Sequence, residues 1–266
     1  MGKAALAAGL SVLLALLAYG LRRAVAATPI PIGTVMVGTG NGHYTEYTQS
    51  GTLITQLDTT SGASEETGCG FDPLTGDFYT TNFASNSVSK FDPTGAFIAL
   101  FGSGYNLHPE SIAFDGASPE NIYVGQADGS HEILKFDTSG KPIGSFTPTT
   151  DARGTDWIDL ASDRCTVFYC SEGHDVQRFN VCTKTQLSNF NTASLPGSNA
   201  FAHRILLSSQ FGAGGVLVAD SSLIVRLDST GKDVQHYTIP DTGTLFALNL
   251  DPDGTPSGPA TSRPDL

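Results

Sequence analysis

The sequence predicts an all-β chain whose short antiparallel sheets form a ring, a β-propeller, and three observations carry that expectation. The first is a unit that recurs about every 45 residues, the length of one four-stranded blade. The second is a tight turn repeated within each unit, and the third is the way the two ends of the chain complement one another. The turn reads Thr48-Gln49-Ser50-Gly51, Asp92-Pro93-Thr94-Gly95, Asp137-Thr138-Ser139-Gly140, Asn180-Val181-Cys182-Thr183 and Asp228-Ser229-Thr230-Gly231. Asp first and Gly last suit a type I turn closed by a glycine bulge. A second recurring element is an apolar run that ends near a polar turn. It reads Gly70-Phe71-Asp72, Ala113-Phe114-Asp115, Asp159-Leu160-Ala161, Leu206-Leu207-Ser208 and Asn249-Leu250-Asp251.

Each unit divides into four strands, a to d, rich in Val, Ile, Phe, Tyr and Thr. In the second copy these are 67–71, 77–82, 87–91 and 96–101; in the third, 110–114, 121–126, 132–136 and 142–146. The fourth copy spans 156–160, 166–171, 176–179 and 186–190, and the fifth 203–207, 216–220, 224–227 and 233–239. The first copy offers strands b to d (34–39, 44–47, 52–57) without a strand a, whereas the last offers strand a (245–250) and nothing after it. A ring that completes one blade from both termini has no exposed sheet edge. The expectation is therefore four complete blades and one composite, with a truncated six-bladed ring as the alternative.

Residues 1–27 read as a signal peptide or an N-terminal anchor, 28–254 as the propeller and 255–266 as a disordered tail. Ala4 to Leu21 is an uncharged apolar run between Lys3 and Arg22-Arg23, followed by small residues suited to cleavage near Ala26 or Ala27. The run is also just long enough to span a bilayer. Either reading places the domain outside the cytoplasm: secreted, periplasmic, extracellular or membrane-anchored. The net charge of the whole chain is −12, and losing Lys3, Arg22 and Arg23 makes it more negative. Such a surface repels phosphate backbones and argues against nucleic acid as a partner.

Four cysteines in an exported chain point to disulfides rather than zinc, and there is no Cys-x-x-Cys. Cys182 stands in the one turn that lacks the glycine of its sisters, so a Cys165–Cys182 bridge is expected to replace that turn chemistry. Cys69 and Cys170 are expected to remain free and buried.

Phrases such as Phe71-Asp72-Pro73-Leu74-Thr75-Gly76-Asp77-Phe78-Tyr79 and Val88-Ser89-Lys90-Phe91-Asp92-Pro93-Thr94-Gly95 resemble the NHL-repeat, streptogramin-lyase-like and gluconolactonase (regucalcin-like) propellers over about residues 34–254. Antiparallel pairing puts the starts of strands a and the ends of strands b on one face of the ring. The a-starts are Glu66, Glu110, Asp156 and His203, with His108 just before its strand; the b-ends are Asn82, Gln126, Glu172 and Asp220. The resemblance implies that Glu66, Glu110, Asp156 and His203 could hold a divalent cation such as calcium, as metal ligands or general base of a lactonase, hydrolase or lyase. His108, Asn82, Gln126, Glu172, Asp220 and Trp157 are the candidate ligand contacts. Trp157, the only tryptophan, either stacks on a sugar or packs between blades. The leading expectation is a monomeric exported binding module for a protein, glycan or small molecule at this face. A structural surface protein is a further alternative.

Overall fold

The structure, a computed structural model, describes residues 28–62, 64–208, 211–239, 243–250 and 260–261. The leader at 1–27 and most of the expected tail lie outside the described residues. Among the described residues no helix is long and apolar enough to cross a membrane.

Five small antiparallel sheets are arranged as a ring. The first has three strands, β1 (Val35–Gly40), β2 (His43–Tyr47) and β3 (Leu53–Asp58). The second runs β4 (Glu66–Phe71), β5 (Phe78–Asn82), β6 (Ser87–Phe91), β7 (Phe97–Leu100). The third runs β8 (Pro109–Phe114), β9 (Asn121–Gln126), β10 (Ile133–Asp137), β11 (Pro142–Phe146). The fourth is β12 (Trp157–Leu160), β13 (Thr166–Cys170), β14 (Gln177–Asn180) and a short β15 (Thr185–Gln186). The fifth is β16 (Ala200–Leu206), β17 (Gly215–Asp220), β18 (Leu223–Leu227) and β19 (Asp233–Thr238). This is the expected blade order, and the count is five.

Closure of the ring differs from expectation. The segment predicted as the last strand a is shorter, β20 (Leu245–Ala247), and pairs with β21 (Ala260–Thr261), which falls within the expected tail. It packs against β16 and β17 as each first strand packs against the preceding blade. Among the described residues, however, no ladder joins it to β1. Leu245 and Leu248 are buried in the apolar cluster of the fourth and fifth blades. Apolar burial, a bond from the Leu245 N–H to the Ser221 carbonyl at 2.7 Å and one from Arg204 Nε to the Leu248 carbonyl at 3.3 Å hold the closing segment in place.

Position in the blade decides burial. The second strands β5, β13 and β17 are buried over nearly their whole length, whereas β3, β7, β11 and β19 are mostly exposed. Apolar clusters fill the space between successive sheets, for example Tyr44, Leu57, Phe78 and Phe91 between the first two. A further repeat emerges only from the register. Tyr79, Tyr123 and Phe168 pair across the ladder with Lys90, Lys135 and Arg178, and each cation lies over its ring at 5.1, 5.7 and 5.8 Å.

The repeated turns form as expected. Asp92, Asp137 and Asp228 each accept bonds from the backbone N–H and hydroxyl of the residue two further on, ahead of a glycine in the left-handed region. The fourth turn is one residue longer. Asn180 pairs with Thr185, and Lys184 takes the left-handed position at φ +58°. Beside it the Cys165–Cys182 disulfide is formed, with Cα atoms 5.2 Å apart. Cross-linking residues 17 apart stabilises the fold by about 3 kcal/mol. Cys170 is free and buried; Cys69 is free but only half-buried.

Candidate ligand-binding site

The face predicted from antiparallel pairing is built by a device repeated at the strand starts. Between Glu66 and Cys69, Pro109 and Ser111, and Ala200 and Ala202 the first strand carries one residue more than its partner. Such bulges re-aim side chains at the rim of a sheet. In the third blade the extra residue is Glu110. The preceding blade then fixes these starts by their carbonyls: the Thr81 hydroxyl donates to the Glu110 carbonyl at 2.9 Å, and the Ser111 hydroxyl to the Asp156 carbonyl at 2.6 Å. Close approach demands glycine at Gly68 and Gly125. A Cβ there would overlap the carbonyl oxygens of Glu110 and Thr155 respectively.

On this scaffold sits an ionic and aromatic constellation from three successive blades. Arg153 bridges two carboxylates, donating to Asp128 and, at 3.1 Å, to Glu172. His108 Nδ1 lies 2.6 Å from the same Asp128 oxygen. The His108 ring stacks on Phe83 with centroids 4.0 Å apart and planes 10° from parallel, and the Arg153 guanidinium lies 5.4 Å from the Phe83 centroid. His108 adopts φ +52°, an unfavourable conformation for a residue with a Cβ. Its N–H donates to Asn86 Oδ1 at 2.6 Å, which helps to hold it there. Arg153 and His108 hold the Asp128 carboxyl below its ordinary range.

Glu110 and Asp156 lie close to this network without joining it. Asp156 is 1% exposed, and neither of its oxygens has a hydrogen-bond partner; Glu110 Oε2 is likewise buried and unpartnered. Burial, with repulsion from Glu110 and Glu172, pushes the Asp156 carboxyl up to about 10; burial pushes Glu110 up to about 7.

The other predicted residues separate. Glu66 is buried near the backbone of Gly42 and His43, and desolvation raises its carboxyl to about 7. His203 is not at a strand start: β16 begins three residues earlier than expected, so the imidazole falls mid-strand. There it is fully buried, with Nδ1 3.2 Å from the Cys170 sulfur. Burial lowers it to about 3, so it is neutral. Asn82 donates to Ser87 and Ser89, and Gln126 bonds the Asn106 N–H and the Ser130 hydroxyl, so both amides brace turns. Asp220 accepts from the Gly197 N–H at 2.5 Å. β13 ends at Cys170, so Glu172 lies two residues beyond it, in the following turn at φ +50°. Trp157 is a core residue, with Arg204 over its ring at 5.4 Å. Among the described residues no group of three or more His, Cys, Asp or Glu is placed to hold a metal ion. The proposed four ligands thus do not converge.

Beside the His108–Phe83 stack, Asn41, Ser64, Glu65, Phe83, Ala84 and His108 line a cleft of about 390 Å³. Phe83, Asp128 and Arg153 were not among the sequence candidates. Phe83 and Asp128 stand one and two residues beyond the ends of β5 and β9, and Arg153 stands four residues before β12, where loop conformation sets direction. No family model matches the chain, and no curated protein is significantly similar to it in sequence.

Proposed function

We propose that this propeller is a binding module that takes a small molecule in the cleft beside His108 and Phe83. The observation that carries the reading is His108 itself. A non-glycine residue held in the left-handed region, stacked on a half-buried aromatic and paired to Asp128, forms one wall of the cleft. Strain that the surroundings over-determine is a mark of ligand sites. The cleft joins a ring face to carboxylate, amide and hydroxyl groups, the mixture small-ligand sites use for orientation. The hydrolase or lyase reading has weaker support, because among the described residues no group of three or more His, Cys, Asp or Glu is placed to hold a metal ion.

Ligand-observed NMR against a library of soluble metabolites and short oligosaccharides tests the site. Compounds that bind are expected to lose about tenfold or more in affinity to Phe83→Ala and to His108→Ala. Ligands that bind both variants as well as the parent protein would place recognition elsewhere.

An exported setting accords with the apolar run at Ala4–Leu21 and with the Cys165–Cys182 bridge. Intact mass measurement of the protein from its native source is expected to show a chain starting near Thr28 and lighter by one disulfide. A mass beginning at Met1 would exclude cleavage.

A further inference from the structure

Outside the cleft, the feature least explained by folding is the pair Glu110 and Asp156. Four carboxylates (Glu110, Asp128, Asp156 and Glu172) surround one guanidinium, and Arg153 spends its bonds on Asp128 and Glu172. What remains is three buried acceptor oxygens with no donor: both of Asp156 and one of Glu110. A buried acceptor without a partner is costly, and a native fold retains one where something else supplies the donor. Glu110 is half-buried and Asp156 enclosed; both interact electrostatically with Arg153 and Glu172, and Glu110 also with Glu65, which lines the cleft.

We propose that Glu110 and Asp156 form a subsite for a primary ammonium group, carried by the ligand of the neighbouring cleft. This rests on the proposed binding function of that face. An ammonium ion brings three N–H donors to these three oxygens, and its charge would displace the protons that burial keeps on the two carboxyls, so that binding releases protons to solvent. Calcium or magnesium fits less well, because each takes six or more oxygen ligands, and among the described residues no group of three or more His, Cys, Asp or Glu is placed to hold a metal ion. The ligand class is therefore an amine on a slender chain, whether a free alkylamine or a lysine side chain. The aromatic wall at Phe83 would receive the apolar part of that chain.

The test uses n-butylammonium chloride and N-acetyl-lysine amide as probes, followed by backbone amide NMR shifts of the whole domain. Tetramethylammonium, potassium and calcium chlorides at equal ionic strength are the controls. Both probes are expected to give saturable shifts at Glu110 and Asp156, weakened about tenfold or more by Asp156→Asn and by Glu110→Gln. Response to butylammonium alone would assign the site to free amines, and response to both would admit lysine side chains. Glu110→Gln, on the less buried partner, keeps the test valid if Asp156→Asn fails to fold. Equal shifts with tetramethylammonium, which has no N–H, would overturn the proposal. So would tighter binding of calcium, or amine binding unchanged in both variants. Neutral compounds that bind in a Phe83-dependent way, without any amine response, would sink the ammonium subsite and leave the cleft reading intact.

Discussion

Raising the pH from 5 to 8 is expected to destabilise this protein by several kcal/mol, the reverse of the usual behaviour of carboxylate-rich domains. Unfolded carboxyls ionise near pH 4. In the folded chain burial holds protons on Glu66, Glu110 and Glu120 to about 7, and on Asp156 to about 10. Between the unfolded and folded values the native state binds more protons than the unfolded state. Stability therefore falls with rising pH across that window. Each unit of displacement is worth about 1.4 kcal/mol, so Glu66, raised to about 7, contributes on the order of 3 kcal/mol. Above about pH 7 Asp156 continues the trend. At the acid end the sign reverses. Asp92, Asp128, Asp137, Asp163 and Asp228 have lowered values, and the stability they contribute is lost as the pH falls through those values. His203, buried and lowered to about 3, acts in the same direction over a higher window: its contribution is lost as the pH falls from 6.5, which offsets part of the decline between pH 5 and 6.5. Urea unfolding from pH 3 to 9 should show a mildly acidic maximum. Glu110→Gln with Asp156→Asn should flatten the decline above it, leaving the part due to Glu66 and Glu120. A parent curve that rises from pH 5 to 8 would contradict the assignment of buried, uncompensated carboxyls.

The second large effect concerns the packing between blades. Phe78→Ala is expected to cost about 4 kcal/mol, a large share of the stability of any single domain. Phe78 is fully buried, with ring centroids 5.5 Å from Tyr44, 4.8 Å from Phe71 and 6.0 Å from Phe91. Tyr44 belongs to the first blade and the others to the second, so the cavity would open where two sheets meet. Ile98→Ala, on the outer strand β7 and half exposed, is expected to cost less than about 1 kcal/mol. Thermal melts of the two variants provide the comparison, and equal losses would argue against a core located between the sheets.

The repeat in the sequence was sufficient to place the blades, because blade turns have local chemistry. An aspartate that accepts from the N–H and hydroxyl of the residue two further on, followed by a glycine that tolerates positive φ, needs nothing distant to form. The same locality made the Cys165–Cys182 bridge legible, since the one turn without its glycine carried a cysteine instead. Strand ends were harder. The extra residues at the strand starts and the early beginning of β16 shifted His203 from the rim to the interior, and no local pattern announces a bulge.

What the sequence determined by itself is therefore the blade architecture: repeated units of antiparallel strands, their order, and the face on which strand starts and ends gather; tertiary structure decided between five blades and a truncated six. Tertiary structure alone decided which of the gathered side chains meet. Arg153, Asp128 and His108 come from different loops and are joined by ion pairs across blades. Glu110 and Asp156 are held near them by carbonyls that the preceding blades grip. The direction of a side chain at a strand end depends on backbone geometry within a residue or two of the bulge and on the neighbouring blade. Neither is written in the spacing of the repeat.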